Sequence, residues 1–362
     1  MTAHRDFWSG RSVLITGNTG FKGTWLSHWL MHLGAEVTGL SLPSDTDPSL
    51  TAQKTSDGRA NTYFSDIREF GAVRACVESV RPNVVFHMAA QSLVRPSYTD
   101  PVGTYATNVM GTVHVLEAIR QVGATEAAVV VTSDKCYENR EWHWAYREDE
   151  AMGGYDPYSS SKGCSELVAS AYRRSFFTPS HGGARPCFVA SARAGNVIGG
   201  GDWSTDRLIP DMIRSLSEGV SVEIRSPHSV RPWQHVLEPL NGYICLAEGL
   251  LSKQGETYAE GWNFGPADED CKPVSYLVKY MAKAWGESAA WHLAATPQPH
   301  EANFLKVDSS KSRARLNWNR RMSLDRALEW TVDWYRRQRS GEKPVRLTIE
   351  QIERYEQLGV SA

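Results

Sequence analysis

Long apolar runs, paired cysteines and blocks of like charge are all missing from this chain of 362 residues. No stretch reaches the roughly 18 apolar residues that a membrane-spanning helix needs. The 6 cysteines, Cys76, Cys136, Cys164, Cys187, Cys245 and Cys271, are scattered, and none forms a C-x-x-C pair. Neither a disulfide framework nor a metal site is expected from them. The formal net charge is -2, and no long basic run breaks the balance. That excludes a general polyanion-binding surface, so neither nucleic acid nor a membrane is an expected partner. The opening residues, MTAHRDFWSGR, hold no apolar signal-peptide core, and a cytoplasmic location is expected. No internal repeat and no low-complexity linker is present.

What the chain does have is alternation. RSVLITG, EVTGLSL, NVVFHMAA, AAVVVTS and PCFVASARAGNV read as buried strands. FKGTWLSHWLMHLG, REFGAVRACVESV, PVGTYATNVMGTVHVLEAIRQVG and PYSSSKGCSELVASAYRRSFF read as the helices between them, with Gly34 and Gly123 placed as stops. Strands and helices in turn predict a parallel sheet covered on both faces. After about Asn196 the pattern breaks into shorter elements, with amphipathic helices at SYLVKYMAKAWG and SLDRALEWTVDWYRRQRSG. The expected division is residues 1–195 for a first domain, to which segments around 230–265 return, and 196–362 for a smaller lobe.

LITGNTGFKG sets Gly17, Gly20 and Gly23 between the first strand and the first helix. Glycines there let the backbone approach a dinucleotide pyrophosphate, whose charge is met by free amides at the helix N-terminus. Phe21 and Lys22 belong to the same turn. An acid that bonds the adenosine ribose is expected at the end of the second strand. Ser41 stands there instead, and Asp45 and Asp47 come later, so NAD over NADP is a preference. Asp66 and Ile67 are candidates for the adenine edge, with Asp66 equally readable as a helix cap. Ala89, Ala90 and Gln91 follow a strand end where a cofactor could lie against backbone. Asn108 is either structural or the holder of a loop on the cofactor side.

DPYSSSK opens a helix that puts Tyr158 and Lys162 on one face, four residues apart. A phenol titrates near ~10 and is a poor base at neutral pH, but an adjacent ammonium favours the phenolate. Ser133 supplies a hydroxyl at the end of the preceding strand. Cys136 and Tyr137 read as packing. Trp142 and Trp144 fit either lid packing or contact with a ring-shaped ligand.

The glycine turn with Ser133, Tyr158 and Lys162 resembles the short-chain dehydrogenase/reductase superfamily, and the length and C-terminal lobe resemble its extended, nucleotide-sugar branch. TGNTGFKGTWL, HMAAQSLVRPSY, TNVMGTVHVLE, TSDKCYENREWHWAYREDEAMGGYDPYSSSKGCSELV, RAGNVIGGGDW and RPWQHVLEPLNGY are similar to the 4,6-dehydratases of that branch, over nearly the whole chain. The resemblance implies a Rossmann-like doubly wound α/β fold, NAD as cofactor, CDP-glucose as substrate and a homodimer or higher homo-oligomer. It implies oxidation at C4, loss of water across C5–C6 and return of the hydride to C6, for deoxysugar synthesis feeding surface polysaccharide. Related dehydratases carry an Asp-Glu pair where Asp134-Lys135 stands here. By resemblance Asp134 is the acid at C6. Lys135 acts at C5, either as a neutral base or as a charged enolate stabiliser. Arg193 is expected near the cofactor; Asn196, Arg207, Leu208, Arg225, Arg231, His235 and Glu301 are expected near the nucleotide. Another nucleotide-sugar 4,6-dehydratase or a 4-epimerase on the same scaffold is the alternative.

Overall fold

In the computed structural model the described residues are 5–46, 48–50, 61–178, 186–286, 291–295 and 302–359. β1 (Ser12–Thr16), β2 (Glu36–Ser41), β3 (Asn61–Phe64), β4 (Val84–His87), β5 (Ala127–Val131), β6 (Phe188–Arg193) and the strand Gly261–Asn263 pair in parallel as one 7-stranded sheet. From one edge the order runs Gly261–Asn263, β6, β5, β4, β1, β2, β3. The sequence order turns back between β1 and β4. Ligand crevices open beyond strand C-termini at such a switch point.

The continuous apolar strands have a simple cause: both faces are covered. β5, AAVVV, is buried at every position. Val13 and Ile15 of β1 join one apolar cluster, while Leu14 between them joins the other, as the period of two requires. The first cluster takes Trp25 and Trp29 from α2 (Phe21–His32), Leu240 and Ile244 from α9 (Leu237–Leu250), Trp334 from α12 (Leu324–Arg339) and Ile352 from α13 (Pro344–Gln357). The second takes Val77 from α3 (Phe70–Val80), Leu116 from α6 (Gly111–Val122) and Ala169 from α7 (Pro157–Phe176). The remaining helices are α1 (Arg5–Trp8), α4 (Val94–Thr99), α5 (Pro101–Tyr105), α8 (Leu208–Glu218), α10 (Val274–Trp285) and α11 (Ser310–Leu316).

Gly34 and Gly123 stand just past α2 and α6 with φ of 94° and 62°, the left-handed stops expected of them. The single helix expected over 101–123 is instead α5 and α6 joined by a π-helical turn at Ala106–Met110. That wider turn leaves the Asn108 carbonyl free to accept from Thr112 Oγ1 (2.6 Å) and Ser165 Oγ (2.8 Å), which ties the helix to α7. The C-terminal half does not pack as an appendage. Gly261–Asn263 extends the sheet beside β6, and α13 meets α2, where Trp29 Nε1 donates to Glu356 Oε1 at 2.9 Å.

Candidate active site

The glycine turn joins β1 to α2 and lies against the end of β4. Gly17 has φ of 76°, and a Cβ there would come within 2.7 Å of the Ala89 amide. A Cβ on Gly23 would lie 2.1 Å from the Gly17 carbonyl. At Gly20 the nearest contact would be 3.5 Å away, so that side is open. Gly20 also caps α2 without any side-chain hydrogen bond, and the first-turn amides, including those of Phe21 and Lys22, have no capping side chain. This cradle fits a dinucleotide pyrophosphate. Behind it, Thr16 Oγ1 accepts from the Met88 and Ala89 amides, each at 3.1 Å, and locks the two strand ends together. Ser41 is spent inside the turn: its hydroxyl accepts from the Thr19 amide at 3.4 Å.

Asn108 does hold the neighbouring loop. Its Oδ1 accepts from the Gln91 amide (2.8 Å), and its Nδ2 donates to the Gln91 carbonyl (2.9 Å) and to Ser161 Oγ (2.8 Å). The Gln91 side chain bonds to Leu93 within that loop and to Thr104 of α5, and Ala90 stands partly buried beside it. Asp66 is not the helix cap, which is Glu69; its carboxylate is engaged by Arg68 at 2.6 Å. The Ile67 side chain is buried against Gly111 and its carbonyl accepts from His114, so only its amide side is left for a ligand.

The chemistry collects at the end of β5. Ser133 caps the short 3-10 turn Asp134–Cys136, and its Oγ accepts from the Lys135 amide at 3.2 Å and donates to Asp134 Oδ1 at 2.9 Å. Asp134 is 2% exposed, and its Oδ2 has no hydrogen-bond partner among the described residues. Gly195 makes room for it: a Cβ at 195 would lie 1.9 Å from Oδ2. Asp134 is therefore a buried carboxyl group whose second oxygen the described residues leave unpartnered, an exception to the pairing of buried polar groups.

Tyr158 sits in the first turn of α7, which Asp156 caps through the Ser159 amide (2.9 Å) with Pro157 at its start. Burial pushes the Tyr158 phenol up to about 12, against the pull of its hydrogen bond with Ser133. Burial outweighs the lowering by Ser133 and Arg207, and Lys162, from which the lowering is expected, is not among the main influences on the phenol. Lys162 Nζ is turned toward the Val131 carbonyl at 3.4 Å, and burial brings it down to about 8. A cationic ligand ring beside Tyr158 would restore the drive toward phenolate.

On the nucleotide side, Arg207 stands at the start of α8, pairs with Asp202 (3.0 Å), donates to Ser92 Oγ (2.9 Å) and acts electrostatically on Tyr158. Arg225 and Arg95 converge on Asp206, at 3.7 and 2.8 Å. Asn196 has a positive φ of 43°, and its carbonyl accepts from the Gln234 amide. Arg231 is 6% exposed and donates to the Val230 carbonyl, and Leu208 packs against the main core. Glu301 lies outside the described residues.

Two expectations need correction. Arg193 is 4% exposed and pairs with Glu166 at 2.9 Å, while also donating to Tyr137 Oη (2.7 Å) and the Glu148 carbonyl (2.9 Å). It is a scaffold ion pair, with both terminal nitrogens bonded to protein and Nε without a partner among the described residues. His235 is 0% exposed, with its ring edge-on between Trp25 and Trp330, each 5.9 Å away. Burial drives it down to about 3, so it is a neutral core residue whose Nδ1 accepts from the Leu237 amide at 3.3 Å. Trp142 packs at 4.7 Å on Trp144 and 5.1 Å on Tyr146, the lid-packing alternative. Sequence reasoning missed Glu166, although it lies one turn beyond Lys162 on the same face of α7, and missed Gly195, which nothing local announces.

A Rossmann-type sheet with a glycine turn and a buried Ser-Asp-Tyr-Lys cluster defines the extended short-chain dehydrogenase/reductase class. Residues 14–331 match the family model described as GDP-mannose 4,6 dehydratase, and the chain belongs to that family. The chain is 51% identical over 351 residues to a CDP-glucose 4,6-dehydratase from Salmonella typhimurium, covering 97% of this chain and 98% of that protein. It is 26% identical to a dTDP-glucose 4,6-dehydratase from Streptomyces antibioticus, over 92% of this chain and 95% of that one. Among solved structures it resembles an epimerase of Methanothermobacter thermautotrophicus (TM-score 0.79, 20% identity, 94% and 96% of the chains). It also resembles the dTDP-glucose 4,6-dehydratase DesIV of Streptomyces venezuelae with NAD bound (TM-score 0.74, 23% identity, 92% and 99%).

Proposed function

We propose that this chain is a hydro-lyase that converts CDP-glucose into CDP-4-dehydro-6-deoxyglucose and water. The observation that carries the reading is the buried Asp134, one oxygen unpartnered, within hydrogen-bonding distance of Ser133 at the end of β5. A 4-epimerase or simple reductase has no use for a second acid there. The 51% identity to a CDP-glucose 4,6-dehydratase supports the nucleotide and the outcome together.

NAD, bound over the Gly17–Gly23 cradle, would supply an acceptor for the C4 hydride and would return that hydride to C6. The rest falls to the chain's own side chains. Tyr158 takes the C4 hydroxyl proton, with Ser133 holding that oxygen in line and Lys162 supplying positive charge. The C4 ketone then acidifies the C5 hydrogen. Lys135 acts at C5, and Asp134 gives its proton to the C6 hydroxyl, which leaves as water. Return of a proton to C5, with the Tyr158 proton passing to Asp134, would leave the side chains as they began and the cycle with no net redox change. Arg207, Arg225 and Arg231 suit the diphosphate, since guanidinium forks match phosphate oxygens. In this reading residues 1–195 serve mainly the dinucleotide, and 196–362 mainly the sugar nucleotide. Val102, Met110, Leu167 and Phe176 are exposed apolar side chains on the α5–α6 and α7 faces, which supports a homodimer built through these helices. A cytoplasmic deoxysugar route to surface polysaccharide completes the proposal.

The test is to offer CDP-, UDP-, GDP- and dTDP-linked glucose separately in deuterated water. CDP-glucose should give a 4-keto-6-deoxy product with solvent deuterium at C5. A C4 epimer without deuterium at C5, or no product from any of the four, would refute the reading.

A further inference from the structure

His87 ends β4 directly opposite Thr16 at the end of β1, and no step of the proposed reaction uses it. Both residues are buried, and so are Thr112 of α6 and Asn108 of the π-helical turn. One ring nitrogen, Nδ1, lies 2.7 Å from Thr16 Oγ1, and the other, Nε2, lies 3.1 Å from Thr112 Oγ1. A neutral imidazole offers one donor and one acceptor, and each hydroxyl offers one proton. The neighbours therefore decide which nitrogen carries the ring proton. Thr112 gives its proton to the Asn108 carbonyl at 2.6 Å, so it accepts from Nε2–H. Thr16 Oγ1 already accepts from the Met88 and Ala89 amides, so its own proton goes to a bare Nδ1. The opposite tautomer would crowd three donors onto Thr16 and leave its proton without an acceptor among the described residues. An imidazolium would do the same. Burial, aided by Lys162, also drives the ring down to about 3, which keeps it neutral.

The bonds all point one way, and they span two parts of the site. They run from the Ala89 amide, which lies against Gly17 of the glycine turn, through Thr16, His87 and Thr112 to the Asn108 carbonyl. The Asn108 side chain continues the path: Nδ2 donates to Ser161 Oγ, which donates to the Tyr158 carbonyl at 2.7 Å. Resting on the NAD-dependent reading above, we propose that His87, held as the neutral Nε2–H tautomer, is a positioning residue that fixes the glycine turn relative to the first turn of α7. In that reading the turn holds the dinucleotide and α7 holds the phenol that takes the C4 proton. Their separation has to be exact, because a misplacement of about 1 Å can cost about 100-fold in rate. A ring that only filled the space would set neither the direction of the bonds nor the tautomer.

Two measurements test this. The first reads the wild-type full chain, labelled with 15N at its histidine rings, where the two nitrogen shifts report which atom carries the proton. His87→Phe or His87→Gln identifies the ring by its missing signal. The proton should sit on Nε2, with Nδ1 bare, from about pH 5 to about pH 8, the range in which an ordinary histidine titrates. A proton on Nδ1, or a ring that titrates in that range, would overturn the proposal. The second follows the first turnover of dinucleotide reduction when full-length variants meet NAD and CDP-glucose. His87→Phe, which neither donates nor accepts, should slow it roughly 10- to 100-fold. Ser161→Ala, at the α7 end of the path, should slow it as well. The double variant should be no slower than the slower single one, because both cut the same path. Effects that multiply, or a folded His87→Phe at the wild-type rate, would contradict the coupling. Where His87→Phe does not fold, Thr112→Val, which removes only the hydroxyl between His87 and Asn108, takes its place in the cycle. No reduction by the wild type would instead refute the NAD-dependent reading, with the tautomer result left standing.

Discussion

Two buried charged clusters lie at the C-terminal edge of the sheet, and they are built on opposite terms. Around Glu166, Arg193 pairs at 2.9 Å, Ser191 Oγ donates at 2.6 Å, Thr132 Oγ1 donates as well, and Tyr137 caps the guanidinium. Burial acts to raise the Glu166 carboxyl, yet Arg193 and the two hydroxyls outweigh it and hold it below its ordinary value. Around Asp134 the accounting is left open: one oxygen has no partner, and Tyr158, Lys162 and Lys22 are all moved by burial toward their neutral forms. Polar groups satisfied by protein make a rigid frame. Groups left short of partners are available to a substrate. The two clusters share α7, so the frame sets the position of the chemistry.

The comparison can be broken most forcefully at Tyr158. Tyr158→Phe should slow the first half-reaction by about 10²–10⁴-fold, the range for removing a positioned acid–base group, while leaving thermal stability nearly intact. Single-turnover absorbance of the reduced dinucleotide reads the rate; near-normal reduction would remove Tyr158 as the base. Glu166→Ala should do the reverse. It strands Arg193 in the core and should cost about 3–5 kcal/mol of stability, as breaking a buried pair does. A denaturation midpoint equal to wild type would show that the Glu166 cluster is no frame. Lys135→Met separates steps within the open cluster. It should allow cofactor reduction by CDP-glucose but stop water loss, so the reduced dinucleotide accumulates. Equal loss of both steps would contradict a role at C5.

The parallel strands were legible because burial on both faces writes an unbroken apolar run, as in Val84–His87 and Ala127–Val131. β3 was not, because NTYF sits at the sheet edge with no buried position to mark it. α4 was hidden by Pro96 and by its 6-residue length. The clustering of Ser133, Asp134, Tyr158 and Lys162 was legible because the first two follow a strand end, Tyr158 sits in a helix first turn and Lys162 follows it by one turn. Arg193 and His235 were misread for one reason. An arginine or histidine near a strand end looks the same in sequence whether it meets a phosphate or a buried partner. Glu166 is 27 positions from Arg193, and Trp330 is far beyond His235, so only the folded chain reveals those contacts.

His235 gives the smallest expected effect. It is neutral, fully buried and held edge-on by Trp25 and Trp330, and its Nε2 has no partner among the described residues. The ring's Nδ1, however, accepts from the buried Leu237 amide at 3.3 Å, a bond that a phenylalanine ring would lose while keeping the edge contacts. His235→Phe should therefore cost about 1–3 kcal/mol, the cost of leaving a buried amide unpaired, and leave the KM for CDP-glucose unchanged. Arg231→Ala, by contrast, should raise that KM. If a folded His235→Phe raised it to a similar degree, the histidine would be acting on the diphosphate, and the division between satisfied frame and open site would have been drawn in the wrong place.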